Sequence, residues 1–351
     1  MGLPKDAGLE LFSKHGPGKR NLITDVPGVT VGNVTLKGSR DGGTDSRDIN
    51  TGVTAILPHP GNIFRDKVMA GVSVINGFGK SQGLVQVEEM GTIETPIILT
   101  NTFSVGTATN ALVKYMLRDN PDIGVSTGTV NCLVTECNDG RLNDIRGMHV
   151  TEEDVLKALS SAGEDFEEGA VGGGTGMVCL GFKGGIGSSS RVLSIDGKDY
   201  TVGALVMSNF GSSGNLVIGG DHIGKRIREL KNTPADSDKG SIIMVIATDI
   251  PLSERQLKRV AKRATISLGR VGSYCGDGSG DIAIAFTTAN RIPHYSDTSL
   301  LDIRLFHDEK IDKVFEALVE AVEEAIISSL YHAETTRGIR GRLYEGLREY
   351  L

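Results

Sequence analysis

The hydrophobic pattern of the chain centres on one run of six apolar residues, Ile242 to Ala247, bounded by turn residues on both sides. Its length and its β-forming residues predict a strand that is buried on both faces. The segment before it, 232–239, is polar and contains a proline, which is typical of an exposed, mobile loop. The pair Gly240-Ser241 therefore marks the point where a loop enters a core strand.

Similar patterns predict the other elements, in which blocks of strands and helices alternate. The predicted strands are 21–34 (two short strands around a turn), 51–57, 70–75, 95–102, 129–135, 191–195, 200–207, 242–247 and 282–286. The predicted helices are 106–116, 151–162, 253–268 and 310–330, the third opened by a capping box of Ser253 and Gln256. No linker divides the chain, so we expect a single α+β domain, 1–351, with two central sheets covered by helices.

Composition narrows the class of protein. The 351 residues are 39% hydrophobic and 23% charged, which is typical of a soluble globular chain. A net charge of −7, few aromatic residues and no Trp disfavour nucleic-acid binding. No apolar stretch is long enough to span a membrane and none near Met1 resembles an export signal, so we expect a cytoplasmic protein without membrane contact.

Cysteines and histidines give no sign of a metal or a cofactor. The four cysteines form no Cys-x-x-Cys pair and the seven histidines form no His-x-x-x-His pair. We therefore expect reduced, buried thiols and no metal. The 47 glycines, about twice the average share, indicate turns and close backbone approaches. One such turn ends the segment 71–79, where the backbone could approach a ligand or form an ordinary bulge.

The Gly240-Ser241 junction has a possible chemistry of its own. The Ser241 hydroxyl could attack the carbonyl carbon of Gly240, which no Cβ shields and whose φ is free to adopt strained values. Cleavage there would give Ser241 a free α-amine, with a pKa of about 7.7 to 8.0, beside its own hydroxyl. One residue would then supply a base and a nucleophile. The same pair also fits an ordinary turn before a strand, and taken alone it does not distinguish the two.

Four segments in this order resemble the self-processing L-aminopeptidase/D-esterase and β-peptidyl aminopeptidase family, peptidase family S58. They are Glu136 to Asp144 (ECNDGRLND), Asn209-Phe210-Gly211, Gly240-Ser241 with its strand, and Gly278-Ser279-Gly280-Asp281. The resemblance spans about 21–290. It implies an αββα sandwich of the ornithine-acetyltransferase-like type with N-terminal-nucleophile-like chemistry. It also implies a precursor that cuts itself into an α chain, 1–240, and a β chain, 241–351, and a homo-oligomer, commonly a tetramer of such heterodimers.

The resemblance also implies roles for single residues. Ser241 matches the family's nucleophile and Asn209 its oxyanion donor, a role that a side-chain amide can fill. Ser279 and Asp281 match the hydroxyl and carboxylate that assist the nucleophile. Arg141 stands where relatives carry an aromatic residue, usually Tyr, that is implicated in oxyanion binding. Arg141 could donate instead, favour another substrate, or be a surface residue.

An aminopeptidase must also hold the ammonium of its substrate, and a carboxylate is the side chain that pairs with it. Glu136 is our candidate, with an ion pair to Arg141 or Arg146 as the alternative. The implied function is removal of N-terminal residues from short peptides, amides or esters. The rival functions are an acyltransferase of the ornithine-acetyltransferase type, which resembles a chain cut before Thr, and a non-catalytic small-molecule binding protein on the same fold.

Overall fold

The computed structural model describes residues 9, 11–39, 48–232 and 240–351. Its strands are β1 (Thr30–Gly38), β2 (Ile49–Leu57), β3 (Asp66–Gly77), β4 (Thr92–Ile93), β5 (Ile97–Asn101), β6 (Leu133–Cys137), β7 (Val178–Cys179), β8 (Phe182–Lys183), β9 (Gly185–Ile195), β10 (Lys198–Asn209), β11 (Gly240–Thr248), β12 (Ser279–Pro293), β13 (Thr336–Arg337) and β14 (Leu343–Tyr344). Its helices are α1 (Leu84–Met90), α2 (Val105–Asp119), α3 (Glu152–Ser160), α4 (Ile223–Lys231), α5 (Glu254–Arg270) and α6 (Asp312–Tyr331).

Two sheets form the centre of the molecule. The four-stranded sheet has the order β1-β2-β5-β6, and the six-stranded sheet has the order β4-β3-β12-β11-β10-β9. In the larger sheet, β11 runs parallel to β12 and antiparallel to β10. The predicted core strand, β11, therefore lies in the middle of its sheet, with neighbours on both sides.

The side chains of β11 show how the layers stack. Ile242, Met244 and Ile246 point into one core, which they share with α5 and α6. Ile243 and Val245 point the other way, into a core shared with β5 and β6. Burial on both faces is what a continuous apolar strand requires.

A third core lies between the four-stranded sheet and the helices α2 and α3. The layers are thus helix, sheet, sheet and helix. The predicted αββα sandwich is confirmed.

Helix caps are where the sequence signals were strongest, and the structure confirms them. Thr151 caps α3 and Ser253 caps α5, each with a complete capping box. The Ser253 hydroxyl accepts from Gln256 N at 3.2 Å, and the Gln256 side chain accepts from Ser253 N at 3.0 Å.

The prediction of two short strands in 21–34 was half wrong. Only β1 forms there, preceded by a short 3-10 turn, Ile23–Asp25. The Asp25 carboxylate accepts hydrogen bonds from the amides of Arg20 and Leu22, and these local bonds replace a strand ladder.

The remaining predictions had different outcomes. The helices α1 and α4 had not been predicted, and β6 begins later than the predicted strand 129–135 and includes Glu136. The predicted mobile loop 232–239 lies outside the described residues from Thr233 to Lys239.

All four cysteines are free thiols; Cys132, Cys137 and Cys179 are buried and Cys275 is half-buried. Within the described ranges, no helix is long and apolar enough to cross a bilayer.

Candidate active site

Sheet register places Ser241 at the centre of the candidate site. Ser241 is paired with Asn209 at the end of β10 and with Gly280 near the start of β12. Its hydroxyl oxygen accepts a hydrogen bond from Gly280 N at 3.1 Å. Because β10 ends where β11 and β12 begin, three segments that are distant in sequence meet at one edge of the six-stranded sheet.

Gly240, the other half of the junction, needs to be glycine. Its φ is +132°, in the region that favours glycine. A Cβ built on it would lie 1.8 Å from the Asn209 carbonyl oxygen, which is far inside van der Waals contact. Any other residue at position 240 would be strained at this φ, and its Cβ would clash with the Asn209 carbonyl.

The Asn209 amide is oriented by two main-chain groups. Its Oδ1 accepts from Val178 N at 2.9 Å, and its Nδ2 donates to the Asn138 carbonyl at 3.0 Å. The amide oxygen can only accept a hydrogen bond and the amide nitrogen can only donate one. The two partners therefore determine which side of the Asn209 amide is oxygen and which is nitrogen. One of the two Nδ2 hydrogens is used by Asn138, and the other is available to a further acceptor.

Ser279 and Asp281 form a buried pair beside the junction. The Ser279 hydroxyl donates to Asp281 Oδ1 at 2.5 Å, and both residues are about 1% exposed. Two residues apart on β12, they lie on the same face of the strand. In register, Ser279 is opposite Gly240. The structure thus places Asn209, Ser241 and the Ser279-Asp281 pair on three neighbouring strands, β10, β11 and β12, at the same end of the sheet.

Glu136 comes from the other sheet, where it lies in β6 and is almost fully buried. Its Oε1 accepts from Lys80 N at 2.7 Å, and its Oε2 accepts from the Thr102 hydroxyl. Arginine is not among its partners in the described part of the chain. The alternative of an ion pair with Arg141 or Arg146 is therefore wrong.

The turn after β3 connects the two halves of the site. A Cβ on Gly280 would lie 3.0 Å from Ser241 Oγ, 3.0 Å from the Phe78 carbonyl oxygen and 3.1 Å from the Cα of Gly79. A Cβ on Gly79 would lie 3.7 Å from Glu136 Oε1. Glycine at both positions lets this turn fit between Ser241 and Glu136. The glycine-rich end of 71–79 was the sequence signal for it.

Arg141 is half-buried in the turn that follows β6. Its carbonyl accepts from Arg342 Nη1 at 3.4 Å. The turn reaches the site through the Asn138 carbonyl, and neither Ser241 nor Asn209 bonds to Arg141.

Asp139, in the same turn, was not singled out from the sequence. It is fully buried, and burial raises the pKa of its carboxyl to about 7, opposed by hydrogen bonds from Thr51 and Asn143. The Asn143 bond, to Oδ1, measures 3.0 Å. Because Asp139 follows Asn138, it helps to fix the carbonyl that orients Asn209.

Lys183 was also missed, because a buried lysine runs against its usual exposure. Its ammonium donates to three carbonyls, those of Gly174, Met177 and Gly184, at 3.1, 2.8 and 2.6 Å. Burial holds the pKa of Lys183 well below its ordinary value. These bonds hold the segment that contains Val178, whose N–H donates to the Asn209 amide. Lys183 therefore helps to orient Asn209 indirectly. Across the described ranges, no cluster of three or more His, Cys, Asp or Glu side chains could hold a metal ion.

The chain is similar to known proteins over nearly its whole length. A family model described as peptidase family S58 matches residues 21–344. The chain is 40% identical over 357 residues to beta-peptidyl aminopeptidase BapA of Sphingosinicella microcystinivorans, covering 96% of this chain and 87% of that protein.

Solved structures give the same result. The PH0078 protein from Pyrococcus horikoshii OT3 is 55% identical with a TM-score of 0.91, covering 98% of this chain and 96% of that one. The L-aminopeptidase D-Ala-esterase/amidase from Ochrobactrum anthropi, described as a variant of the Ntn hydrolase fold, is 39% identical with a TM-score of 0.89. That match covers 99% of this chain and 96% of the other.

Proposed function

The chain belongs to peptidase family S58 and is a serine-type aminopeptidase, and we propose that it reaches its active form by cutting itself at Gly240-Ser241. The observation that carries the proposal is the position of Ser241, at the start of a central strand between Asn209 and Gly280, the residue that separates Ser279 from Asp281. In the processed enzyme these groups act on the N-terminal residue of short peptides, amides or esters.

Self-processing follows from the position of the Ser241 hydroxyl. Its oxygen attacks the carbonyl carbon of Gly240, the C–N bond breaks, and the chain becomes an ester with a free Ser241 amine. Water then hydrolyses the ester, which leaves a carboxylate on Gly240 and a hydroxyl on Ser241. Glycine at position 240 favours this bond as the point of attack, because no Cβ shields its carbonyl carbon.

Turnover uses the same hydroxyl. The neutral α-amine of Ser241 takes the hydroxyl proton while the oxygen attacks the substrate carbonyl. The free hydrogen of Asn209 Nδ2 donates to the resulting oxyanion, and the Ser279-Asp281 pair holds the ammonium form of the base. The leaving amine takes that proton, and water hydrolyses the acyl-serine ester.

Glu136 is proposed to bind the substrate's ammonium. Its carboxylate is buried, and among the described residues it has no arginine partner. Gly79 packs against Gly280, and these two glycines adjoin Glu136 and Ser241 respectively. The relatives' names point to β-peptides and to D-alanine esters or amides as the first substrates to test.

The assembly and the compartment are further proposals. We propose a tetramer of processed heterodimers, as in the family pattern, which sedimentation of the purified protein tests. We also propose a cytoplasmic location. All four cysteines are free thiols, and free thiols are more common in a reducing compartment than in an oxidising one.

The deciding experiment is a denaturing gel with N-terminal sequencing. Processing of the 37.2 kDa chain should give pieces of roughly 25 and 12 kDa, the smaller beginning at Ser241. Amine release from a β-peptide then identifies the aminopeptidase. A single band with ligand binding but no turnover favours the binding protein, and acetyl transfer without amine release favours the acyltransferase.

A further inference from the structure

A cation lies beside the candidate site without a carboxylate partner. Lys80 is exposed and follows the turn that joins Ser241 to Glu136. Its main-chain N–H donates to Glu136 Oε1 at 2.7 Å. In the described ranges its ammonium makes no ion pair, although many of the chain's other lysines do.

The Lys80 side chain folds back onto the turn that precedes it. Its Nζ lies 4.1 Å from the centre of the Phe78 ring and donates to the Phe78 carbonyl at 3.4 Å. That carbonyl oxygen and Ser241 Oγ each lie 3.0 Å from the Cβ position of Gly280. The ammonium is thus bonded to a carbonyl that packs against Gly280, as Ser241 Oγ does, while the main-chain N–H of the same residue donates to Glu136.

Lys80 therefore links two opposite charges: its main-chain N–H bonds to the Glu136 carboxylate, and its side chain carries an ammonium. Glu136 is buried and held by hydrogen bonds, whereas Lys80 is exposed. The Glu136 carboxylate and the Lys80 ammonium are separated only by the backbone and side chain of Lys80. A dipeptide, which spans at most about 7 Å between its charged ends, matches this scale.

We propose that the Lys80 ammonium binds the free carboxylate of the leaving residue, so that the preferred substrates are free dipeptides. This rests on the proposed function, in which Glu136 holds the substrate's ammonium and Ser241 attacks the carbonyl between the two charges. A dipeptide amide lacks the carboxylate, and in a longer peptide the carboxylate lies beyond Lys80. Both are bound without this ion pair.

The test compares an aminoacyl-alanine dipeptide with the matching aminoacyl-alaninamide, using kcat/KM for each. In the wild type the free acid should be favoured by about threefold to tenfold, the range of a partly exposed ion pair. Lys80→Gln keeps the main-chain N–H that holds Glu136 and should bring the ratio to about one. Lys80→Glu should reverse it.

Two controls separate this ion pair from other effects. Lys262→Gln removes the same charge from an exposed site on α5 and should leave the ratio at the wild-type value. Raising the salt concentration should lower the wild-type ratio and leave that of Lys80→Gln unchanged, because exposed charges are screened.

The outcomes are distinguishable. If both substrates are cleaved and Lys80→Gln keeps the wild-type ratio, the leaving carboxylate is not bound by Lys80 and this inference is wrong, while the aminopeptidase assignment stands. If the processed protein cleaves neither substrate, the proposed function fails and the inference fails with it.

Discussion

The two sheets contribute to the site in different ways. At the edge of the six-stranded sheet, Asn209, Ser241 and Ser279 are set by the strand register itself. On the four-stranded sheet, Glu136 is held by a loop amide and a threonine hydroxyl. The proposed reacting groups are thus placed by adjacent backbone ladders, whereas the carboxylate proposed to bind the ammonium depends, beyond its own ladder, on two bonds that a few substitutions can alter.

This difference predicts how variants behave. Changes at the six-stranded edge should act on kcat, because they alter groups that touch the reacting atoms. Changes at the four-stranded edge should act mainly on KM and on substrate choice. The five predictions below test that division, beginning with the largest expected effect.

Ser241→Ala should abolish both processing and turnover, lowering kcat by more than about a thousandfold, because nucleophile and base are lost together. A denaturing gel should show one band, and Ser296→Ala, in an exposed loop, should give the wild-type pattern. Two bands from Ser241→Ala with the same new terminus would mean that this serine does not cut the chain.

Asn209→Ala should lower kcat by about a hundredfold to a thousandfold with little change in KM, since the lost hydrogen bond forms to the oxyanion. Processing should slow as well if it uses the same donor. Steady-state kinetics, with Asn110→Ala on the exposed face of α2 as the control, measures this. A larger change in KM than in kcat would place Asn209 in ground-state binding instead.

Wild-type kcat/KM should rise about tenfold per pH unit up to about pH 7 to 8, because the α-amine of Ser241 acts only when it is neutral. A pH series on a neutral ester substrate tests this, and activity should persist in a chelator. Loss of activity in chelator with rescue by a divalent cation would contradict an amine base.

Glu136→Gln keeps the size and hydrogen bonding of the side chain and removes its charge. It should spare processing and raise KM for free-amine substrates by about tenfold, the value of a charge-assisted hydrogen bond. Acetylating the substrate amine should then raise KM strongly for the wild type and only slightly for the variant. Equal discrimination by both proteins would show that the ammonium is bound elsewhere.

Asp139→Asn should have the smallest effect on turnover and a clear effect on stability. In the fold the pKa of Asp139 is raised to about 7, above its unfolded value of about 3.9, so its contribution is most favourable at low pH and declines as pH rises from about 4 to 7. The variant stays neutral and should gain in Tm relative to the wild type as pH rises from 5 to 8.

That comparison is cleanest in the Ser241→Ala background, where both chains are uncut. Asp199→Asn, at an exposed position in β10, is the matched control and should show no such trend. A difference in Tm that does not vary with pH would mean that Asp139 stays ionised in the fold.

The sequence predicted the core strand and the order of polar strand ends because both depend on local periodicity. It did not predict the start of β6, since the residues before it bond to a distant side chain: Asn131 N donates to Glu94 Oε1 at 2.7 Å. Nor could it predict Lys183, whose burial depends on three carbonyls brought together by the fold. Such contacts are long-range, and a pattern of neighbouring residues does not contain them.

The place of β11 and β12 in the six-stranded sheet has a consequence for assembly. All of β12, and all of β11 except Gly240, follow the Gly240-Ser241 bond, yet the two strands lie between β3 and β10, which precede it. In the proposed cut form neither piece is a folding unit by itself, because each would expose unpaired strand edges that favour aggregation. The two pieces expressed separately and mixed should therefore not restore the enzyme, since the shared sheet has to form in the uncut chain. Dissociation of the proposed pieces is then equivalent to unfolding.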